Sequence, residues 1–452
     1  MFVVTLPSIS ARDPLAFALQ AKNAGADLLE IRGDITPSVP AFASPLPLIV
    51  TPREHYELLE SLKAQYIDLD YKEECTVPHG VTVIRSFHDF EKTPSIGELS
   101  ARFEALQGQN ADIVKIATTV RTMADIVALS ELQKSRSDHG RHIILGMGQR
   151  AHLLRLLSPL RNALTYTYIG DGQQSAPGQL PLSFYHYTRH VKNPSIFGLV
   201  GGPDVVSLSP LIHNVLFDRA GIDALYALFP TEDLRDVFGN AEALGIRGLS
   251  VTAPFKQAVV KFVSALDPLA EELQTVNTLV HGDKGWKGYC TDVTGVMEGY
   301  PFLRSCSHAA ILGSGGVVPA IVRACRECGI ADITIFARNT RAREAFADTL
   351  KVQSRPLEAA ADASVDVVFC AIPSDRALPL PRRNGAAHAI DLRYGQETRF
   401  IKDAHGAGYA THDGLLLLLH QALAQFTLFT GTDPDSGALP FLQSLLSSHG
   451  KQ

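Results

Sequence analysis

Eight short apolar runs recur through the first 190 residues, most of them followed by a helix-like stretch, and this rhythm limits the fold more than any other feature. The runs lie at 2–6, 26–32, 47–51, 66–70, 80–87, 111–117, 142–147 and 163–169. Their length suits buried strands, and gaps such as Asp13 to Asn23 and Ile96 to Gly108 have helical composition. Eight strand–helix units predict a compact α/β structure, a (β/α)8 barrel. The gap from Tyr71 to His79 is too short for a full helix, so the barrel is expected to be irregular there.

In such a barrel the reactive side chains belong at the C-terminal ends of the strands. The polar residues fall that way. Glu30 and Arg32 end the second strand, Arg53 follows the third, and His88 and Asp89 end the fifth. Lys115 lies in the sixth, Met147 ends the seventh, and Ser175 to Gln179 follow the eighth. Lys115 sits in Ala-Asp-Ile-Val-Lys-Ile-Ala, where lost hydration would disfavour the ammonium and expose a nucleophilic amine. Such an amine attacks a ketone to give an imine, an electron sink for proton loss at the adjacent carbon. His88 is the natural proton carrier near neutral pH. Glu57, one helical turn after Arg53, would orient it, and Arg155 would hold a carboxylate through its forked donors.

The second half has a different grammar. Residues 186–195 read as a linker, and a new apolar strand begins at Ile196. A strand at 309–312 runs into Leu312-Gly313-Ser314-Gly315-Gly316, a helix follows from 316, and another strand spans 332–337. That is one βαβ unit of a Rossmann-type dinucleotide-binding domain, in which glycines admit a pyrophosphate to a helix N-terminus. An NAD site usually carries an acidic residue after the second strand; here Arg338, Asn339 and Arg341 stand there, which suits the 2′-phosphate of NADP. Strands are also expected at 365–371 and 388–394, and a helix from about 414 to 430 that packs back on the middle segment. Ser207 and Ser209 present two hydroxyls to one carboxylate. Lys256 and Asp292 would form a charged pair that polarises a carbonyl and relays a proton.

Composition narrows the function classes. Across 452 residues, 47 acidic and 41 basic side chains give a net charge of −6, with no long single-sign block, so no nucleic-acid partner is expected. Six scattered cysteines read as reduced thiols in a cytoplasmic protein. Cys325-x-x-Cys328 has no second pair nearby, and no metal is expected. The N-terminus has no secretory pattern, and Leu415 to Leu419 is too short to span a bilayer, so no membrane role is expected.

Taken jointly, the first 190 residues resemble the type I 3-dehydroquinate dehydratases. The matching words are Leu-Leu-Glu30-Ile-Arg32, Thr-Pro-Arg53 with Glu57, Ser86-Phe-His88-Asp-Phe, Val-Lys115-Ile-Ala, Met147-Gly148 with Arg155, and Ser175-Ala-Pro-Gly-Gln179. The resemblance implies dehydration of 3-dehydroquinate to 3-dehydroshikimate. Lys115 would form the imine, His88 would move the C2 proton, and Glu57 would pair with His88. Arg155 would bind the carboxylate, and Glu30, Arg32, Arg53, Ser175 and Gln179 would hold the hydroxyls. The family's glycine pair after Glu57 is Leu58-Leu59 here.

Residues from about 196 to 445 resemble the shikimate dehydrogenases. The matches are Gly201-Gly-Pro203 through Ser207, Ser209, Pro210, His213 and Asn214; Val251-Thr252 with Lys256; Asn277-Thr278; Asp292; the turn at Gly313, Gly315 and Gly316; and Asp391, Tyr394, Gly414 and Gln421. The resemblance implies NADPH-dependent reduction of 3-dehydroshikimate to shikimate. Ser207, Ser209, Thr252, Asn277, Asp292, Tyr394 and Gln421 would bind substrate. Lys256 with Asp292 would transfer a proton, and Gly313, Ser314, Gly315, Gly316, Arg338, Asn339, Arg341 and Gly414 would hold the cofactor. Ser250, Cys290, Ala337 and Ile372 depart from the family pattern. The expected division is 1–190 for the barrel, 195–302 with about 414–445 for a substrate lobe, and 303–413 for the NADP lobe. A bifunctional enzyme of the shikimate pathway follows, monomeric or homodimeric. Two alternatives stay open: one half catalytic and the other a scaffold, or a quinate-directed NAD dehydrogenase fused to a Schiff-base lyase.

Overall fold

The computed structural model of the chain describes residues 1–136, 141–170 and 172–449. All eight expected strands form: β1 (Phe2–Thr5), β2 (Leu28–Arg32), β3 (Leu48–Thr51), β4 (Tyr66–Asp70), β5 (Thr82–Asp89), β6 (Ile113–Thr119), β7 (Arg141–Met147) and β8 (Thr165–Thr167). They are parallel neighbours in the order β7-β6-β5-β4-β3-β2-β1-β8. Helices α1 (Pro14–Ala24), α2 (Glu57–Ser61), α3 (Ile96–Gln107), α4 (Met123–Ser135) and α5 (His152–Arg161) lie between strands. No helix forms between β4 and β5, as the short gap requires. Helix starts follow local chemistry: Ser95 with Glu98, and Thr122 with Asp125, close reciprocal capping boxes on α3 and α4.

Along each barrel strand alternate side chains face inward, so the interior is built in layers. The bottom of that core holds Val3, Leu28, Ile49, Ile84, Ile113, Ile143 and Leu164, packed together. The ring stops between β7 and β8, because β8 is only three residues long. The side chain of Asn162 fills part of that seam as a surrogate peptide. Its Oδ1 accepts the Ile144 N–H at 3.0 Å, and its Nδ2 donates to the Ile144 carbonyl at 3.1 Å.

By compactness the chain divides into two units: Met1–Gly198 with Pro203–Val205 and Gly221–Ile246, and the remainder. After the barrel come β9 (Ser195–Gly201), α6 (Ser209–Ala220), β10 (Ala224–Pro230), α7 (Leu234–Asn240), β11 (Ile246–Val251), β12 (Ala265–Leu266), α8 (Pro268–Leu273), β13 (Thr278–Gly282), β14 (Gly285–Tyr289) and α9 (Asp292–Gly299). Their sheet has the order β10-β9-β11-β13-β14-β12. A second six-stranded sheet follows, from β15 (His308–Leu312), β16 (Asp332–Phe336), β17 (Gln353–Arg355), β18 (Ser364–Cys370), β19 (Arg382–Asp391) and β20 (Ala410–His412). It is parallel, and its order β17-β16-β15-β18-β19-β20 is the doubly wound 3-2-1-4-5-6 arrangement. Helices α10 (Val318–Glu327), α11 (Thr340–Leu350) and α12 (Arg399–Gly406) connect its strands.

The chain then returns through α13 (Leu415–Thr430) and α14 (Ala438–His449). Glycines on α9 let α13 approach closely: a Cβ at Gly295 would lie 2.8 Å from the Leu417 carbonyl oxygen. No helix of the described residues is long and apolar enough to cross a membrane.

Asn162→Ala should lower stability by about 2 kcal/mol, because the buried Ile144 N–H loses its acceptor. Urea unfolding followed by circular dichroism would show a lower midpoint with an unchanged slope; an unmoved midpoint would contradict the seam's role.

Candidate functional site

The barrel's upper layers are polar and open into a cavity of about 980 Å³ at the C-terminal ends of the strands. Of the residues expected there, Glu30, Arg32, Arg53, His88, Lys115, Arg155, Ser175 and Gln179 all line it. Alternation explains the convergence. Glu30 and Arg32 follow Leu28 on the inner face of β2, His88 follows Ile84 and Ser86 on β5, and Lys115 follows Ile113 on β6. Glu30 is buried and accepts hydrogen bonds from Thr5 at 2.6 Å and Thr51 at 2.9 Å. Gln179 closes on Ser175, whose backbone N–H it accepts at 2.8 Å. Gly178 lets that loop cross Gly148, since a Cβ there would come 2.3 Å from the Gly148 carbonyl oxygen.

Two expectations are corrected. Lys115 is not surrounded only by apolar groups: its ammonium donates to Asp68 at 2.6 Å and lies 4.3 Å from the centroid of the Tyr166 ring. The neighbouring strand β4 supplies that partner, in the line Tyr66, Asp68, Asp70. Burial alone would raise the Asp68 carboxyl, but the charges of Lys115, His88 and Arg53 outweigh it and hold it at about 2. Glu57 does not meet His88. It begins α2 with its side chain 67% exposed and bonds His55 at 3.0 Å instead. The turn before it carries Arg53 and Glu54 at φ 47° and 78°, a left-handed pair that turns α2 outward. The carboxylate beside His88 is Asp70, 3.8 Å from Nδ1.

His88 is 13% exposed, and burial pulls its imidazole below the ordinary range, against the upward pull of Asp70. It is therefore neutral near pH 7 and able to accept a proton. Arg155 is buried on α5, where burial lowers its guanidinium, and its Nε has no hydrogen-bond partner among the described residues. A buried guanidinium short of acceptors is built for an anion.

The second constellation lies in the second unit. Lys256 donates to Asp292 at 2.6 Å, and Asn277 Nδ2 donates to the other Asp292 oxygen at 2.9 Å and to Gln421 Oε1 at 3.3 Å. Ser207 and Ser209 bond one another at 3.0 Å, at the start of α6. Thr252 follows β11, its backbone N–H bonded to Val200. Tyr394 is half-buried beyond β19. Asp391 is buried, gripped by Arg393 and by the Thr398 hydroxyl at 2.6 Å.

Sequence reasoning missed Gln425, which explains the Ser250 departure. Its Oε1 accepts from the Ser250 hydroxyl at 2.8 Å and meets His213 Nε2 at 3.2 Å. Its Nε2 donates to the Asn277 carbonyl and the Thr278 hydroxyl. The spacing Gln421-x-x-x-Gln425, one helical turn on α13, was the available signal.

Gly313, Ser314, Gly315, Arg338 and Asn339 line a separate cavity of about 530 Å³ with Ala337, Ala371, Ile372 and Pro373. It sits between β15 and β18, where the strand order reverses, and α10 begins at its rim. Gly313 needs its glycine: φ is 124°, and a Cβ would lie 3.0 Å from the Ala371 carbonyl. A Cβ at Gly315 would meet nothing within 4 Å, and one at Gly316 would lie 3.5 Å from Lys256 Cβ, so the turn reaches the Lys256–Asp292 pair. Gly316, Arg341 and Gly414 do not line this cavity. Gly414 instead starts α13 tight against Leu392, where a Cβ would fall 2.0 Å from the carbonyl oxygen.

Residues 49–186 match the type I 3-dehydroquinase model, 199–279 the shikimate dehydrogenase substrate binding domain, and 308–387 an NADP oxidoreductase, coenzyme F420-dependent, model. Among similar proteins, the shikimate dehydrogenase (NADP(+)) of Pyrococcus abyssi is 33% identical over 251 residues, 53% of this chain and 94% of the relative. The bifunctional 3-dehydroquinate dehydratase/shikimate dehydrogenase, chloroplastic, of Arabidopsis thaliana is 26% identical, over 91% of this chain and 79% of the relative. A shikimate 5-dehydrogenase from Thermus thermophilus, solved with NADP(H) and shikimate, is 26% identical with a TM-score of 0.50, covering 56% of this chain and 99% of that one.

Lys115→Met should destabilise the barrel by about 3–5 kcal/mol at neutral pH, because it strands a buried carboxylate. The parent Asp68 contributes stability that is present above its unfolded value of about 3.9 and lost as pH falls through about 2. In the variant Asp68 binds its proton more readily when folded, so the deficit should shrink on acidification from neutral pH. Urea titrations at neutral and mildly acidic pH would test this; a deficit independent of pH would contradict it.

Proposed function

The chain belongs to the shikimate dehydrogenase family, with a type I 3-dehydroquinase half ahead of it, and from that premise we propose that it catalyses two consecutive steps. The barrel dehydrates 3-dehydroquinate to 3-dehydroshikimate, and the second half reduces that product to shikimate. The observation that carries the reading is the meeting of Lys115, His88 and Arg155 in one cavity.

In the first step Arg155 holds the substrate carboxylate, which brings the ring ketone over Lys115. Lys115 forms the imine, and neutral His88 takes the C2 proton as the electrons move toward the imine nitrogen. The protonated imidazole then assists the departing hydroxyl, so one residue serves as base and acid. Asp70 orients His88 in place of the exposed Glu57. Glu30, Arg32, Arg53, Ser175 and Gln179 bind the hydroxyls around the ring.

In the second step Ser207 and Ser209 hold the carboxylate, while Thr252, Asn277, Tyr394 and Gln421 bind the ring hydroxyls. Lys256 gives its proton to the carbonyl oxygen as that oxygen gains charge, and Asp292, fixed by Asn277, holds the ammonium in line. The glycine cavity fits NADPH: its turn is open at Gly315, a helix N-terminus stands at its rim, and Arg338 lies where a 2′-phosphate would be met. Gly313, Ser314, Gly315, Gly316, Arg338 and Asn339 would hold it, with Arg341 close in sequence. When bound, the reduced nicotinamide supplies the hydride.

We assign residues 1–190 to the dehydratase, 195–302 with about 414–445 to the substrate lobe, and 303–413 to the NADP lobe. All six cysteines are free, which suits the reducing cytoplasm where we place the enzyme.

Purified Lys115→Met should show no 3-dehydroquinate dehydration yet reduce added 3-dehydroshikimate at the parent rate. Following enone and NADPH absorbance in one cuvette reads both. Loss of both activities, or of neither, would contradict two independent sites. Arg338→Glu should raise the KM for NADPH by about 10- to 100-fold and leave NADH nearly unaffected, the loss of a charge-assisted phosphate contact. Equal effects on both cofactors would contradict the phosphate assignment.

A further inference from the structure

Tyr166 is on the inner face of β8, two residues after Leu164 in the barrel core, and its ring lines the catalytic cavity. The residue is 5% exposed, and its hydroxyl is buried without a hydrogen-bond partner among the described residues. The Lys115 ammonium that meets the Tyr166 ring also meets a second orphan: Asp68 accepts from Lys115 through Oδ2, while its Oδ1 is buried with no partner among the described residues. A buried donor without an acceptor, or an acceptor without a donor, costs about 1–3 kcal/mol. Here the two belong to side chains that both touch the Lys115 nitrogen, and they do not satisfy one another.

We propose that Tyr166 and Asp68 together form the seat for the oxygen that leaves when the imine forms, the Tyr166 hydroxyl donating to it and Asp68 Oδ1 accepting from it. A carbinolamine hydroxyl is the group that needs both. It is attached to the carbon that Lys115 attacks, so it is delivered to the neighbourhood of these two atoms. This inference rests on the imine-forming reading of the barrel and adds two contacts to it.

The step balances without any further reagent. The Lys115 ammonium gives a proton to His88, and the free amine attacks the ketone. The N–C bond forms as the carbonyl π pair moves to oxygen, which takes the Tyr166 hydrogen bond. His88 returns its proton to that oxygen and removes one from the new ammonium centre. It then protonates the carbinolamine hydroxyl, the C–O bond breaks, and the nitrogen lone pair closes the C=N bond, leaving an iminium and water. Tyr166 keeps its proton throughout, as suits a phenol that burial raises well above its ordinary value. Its ring face, already against the lysine cation, remains against the iminium.

Tyr166→Phe separates this role from a structural one. It keeps the ring and removes only the orphaned hydroxyl, so the melting temperature should stay or rise. The dehydration kcat should fall by about 100- to 1,000-fold, the scale of losing one oxyanion donor. Borohydride trapping of 3-dehydroquinate on Lys115 in a single turnover should slow in parallel, while reduction of 3-dehydroshikimate is unchanged. A variant that traps and turns over within about two-fold of the parent would overturn the proposal. So would a clear drop in melting temperature, which would reveal a hydroxyl with a structural partner. If the parent itself traps nothing on Lys115, the imine reading fails first and takes this inference with it.

Discussion

A lysine ammonium drawn beneath a protein surface must meet an anion, and both halves of this chain are organised around that demand. In the barrel Lys115 meets Asp68, and in the second half Lys256 meets Asp292, each at 2.6 Å. The pairs differ in what surrounds them. Asp68 is fully buried and its second oxygen is unpartnered among the described residues, so near neutral pH its charge is balanced almost wholly by Lys115 and the more distant Arg53. Asp292 has both oxygens engaged, one by Lys256 and one by Asn277. The first arrangement leaves a lysine with reason to move when a ligand offers a better completed set of bonds. The second holds a lysine in line for repeated proton transfer.

The same contrast runs through the supporting structure. The barrel site is assembled from single residues on successive strands, and its precision comes from alternation along β2, β4, β5 and β6. The second site hangs from one buried amide: Gln425 on α13 ties Ser250, His213, Asn277 and Thr278 together, and Asn277 passes that order to Asp292. Helix α13 reaches the site only because Gly295 and Gly299 on α9 leave it room.

Much of this was legible in the sequence, for identifiable reasons. Short apolar runs with polar residues at their ends announce a parallel barrel, so Glu30, Arg32, His88 and Lys115 were placed correctly in one cavity. Gly313 followed by Arg338 announced the doubly wound sheet and its cavity. What failed was anything set by turn geometry or by a partner in another strand. Spacing put Glu57 four residues after Arg53 and hence near His88, but two left-handed residues at 53 and 54 turn it to solvent. The apolar neighbours of Lys115 in its own strand hid Asp68, which comes from β4, 47 residues earlier. Tyr166 carries no signal in the sequence, since nothing in the string reveals an unpartnered hydroxyl.

The most direct test of the account is a crystal structure of the protein soaked with 3-dehydroquinate. Continuous density from Lys115 Nζ into the ring carbon that bore the ketone, with Nζ withdrawn from Asp68 and the carboxylate on Arg155, is the predicted result. A ligand bound elsewhere, or lying in the cavity while Lys115 still holds Asp68 and makes no bond to it, would contradict the account.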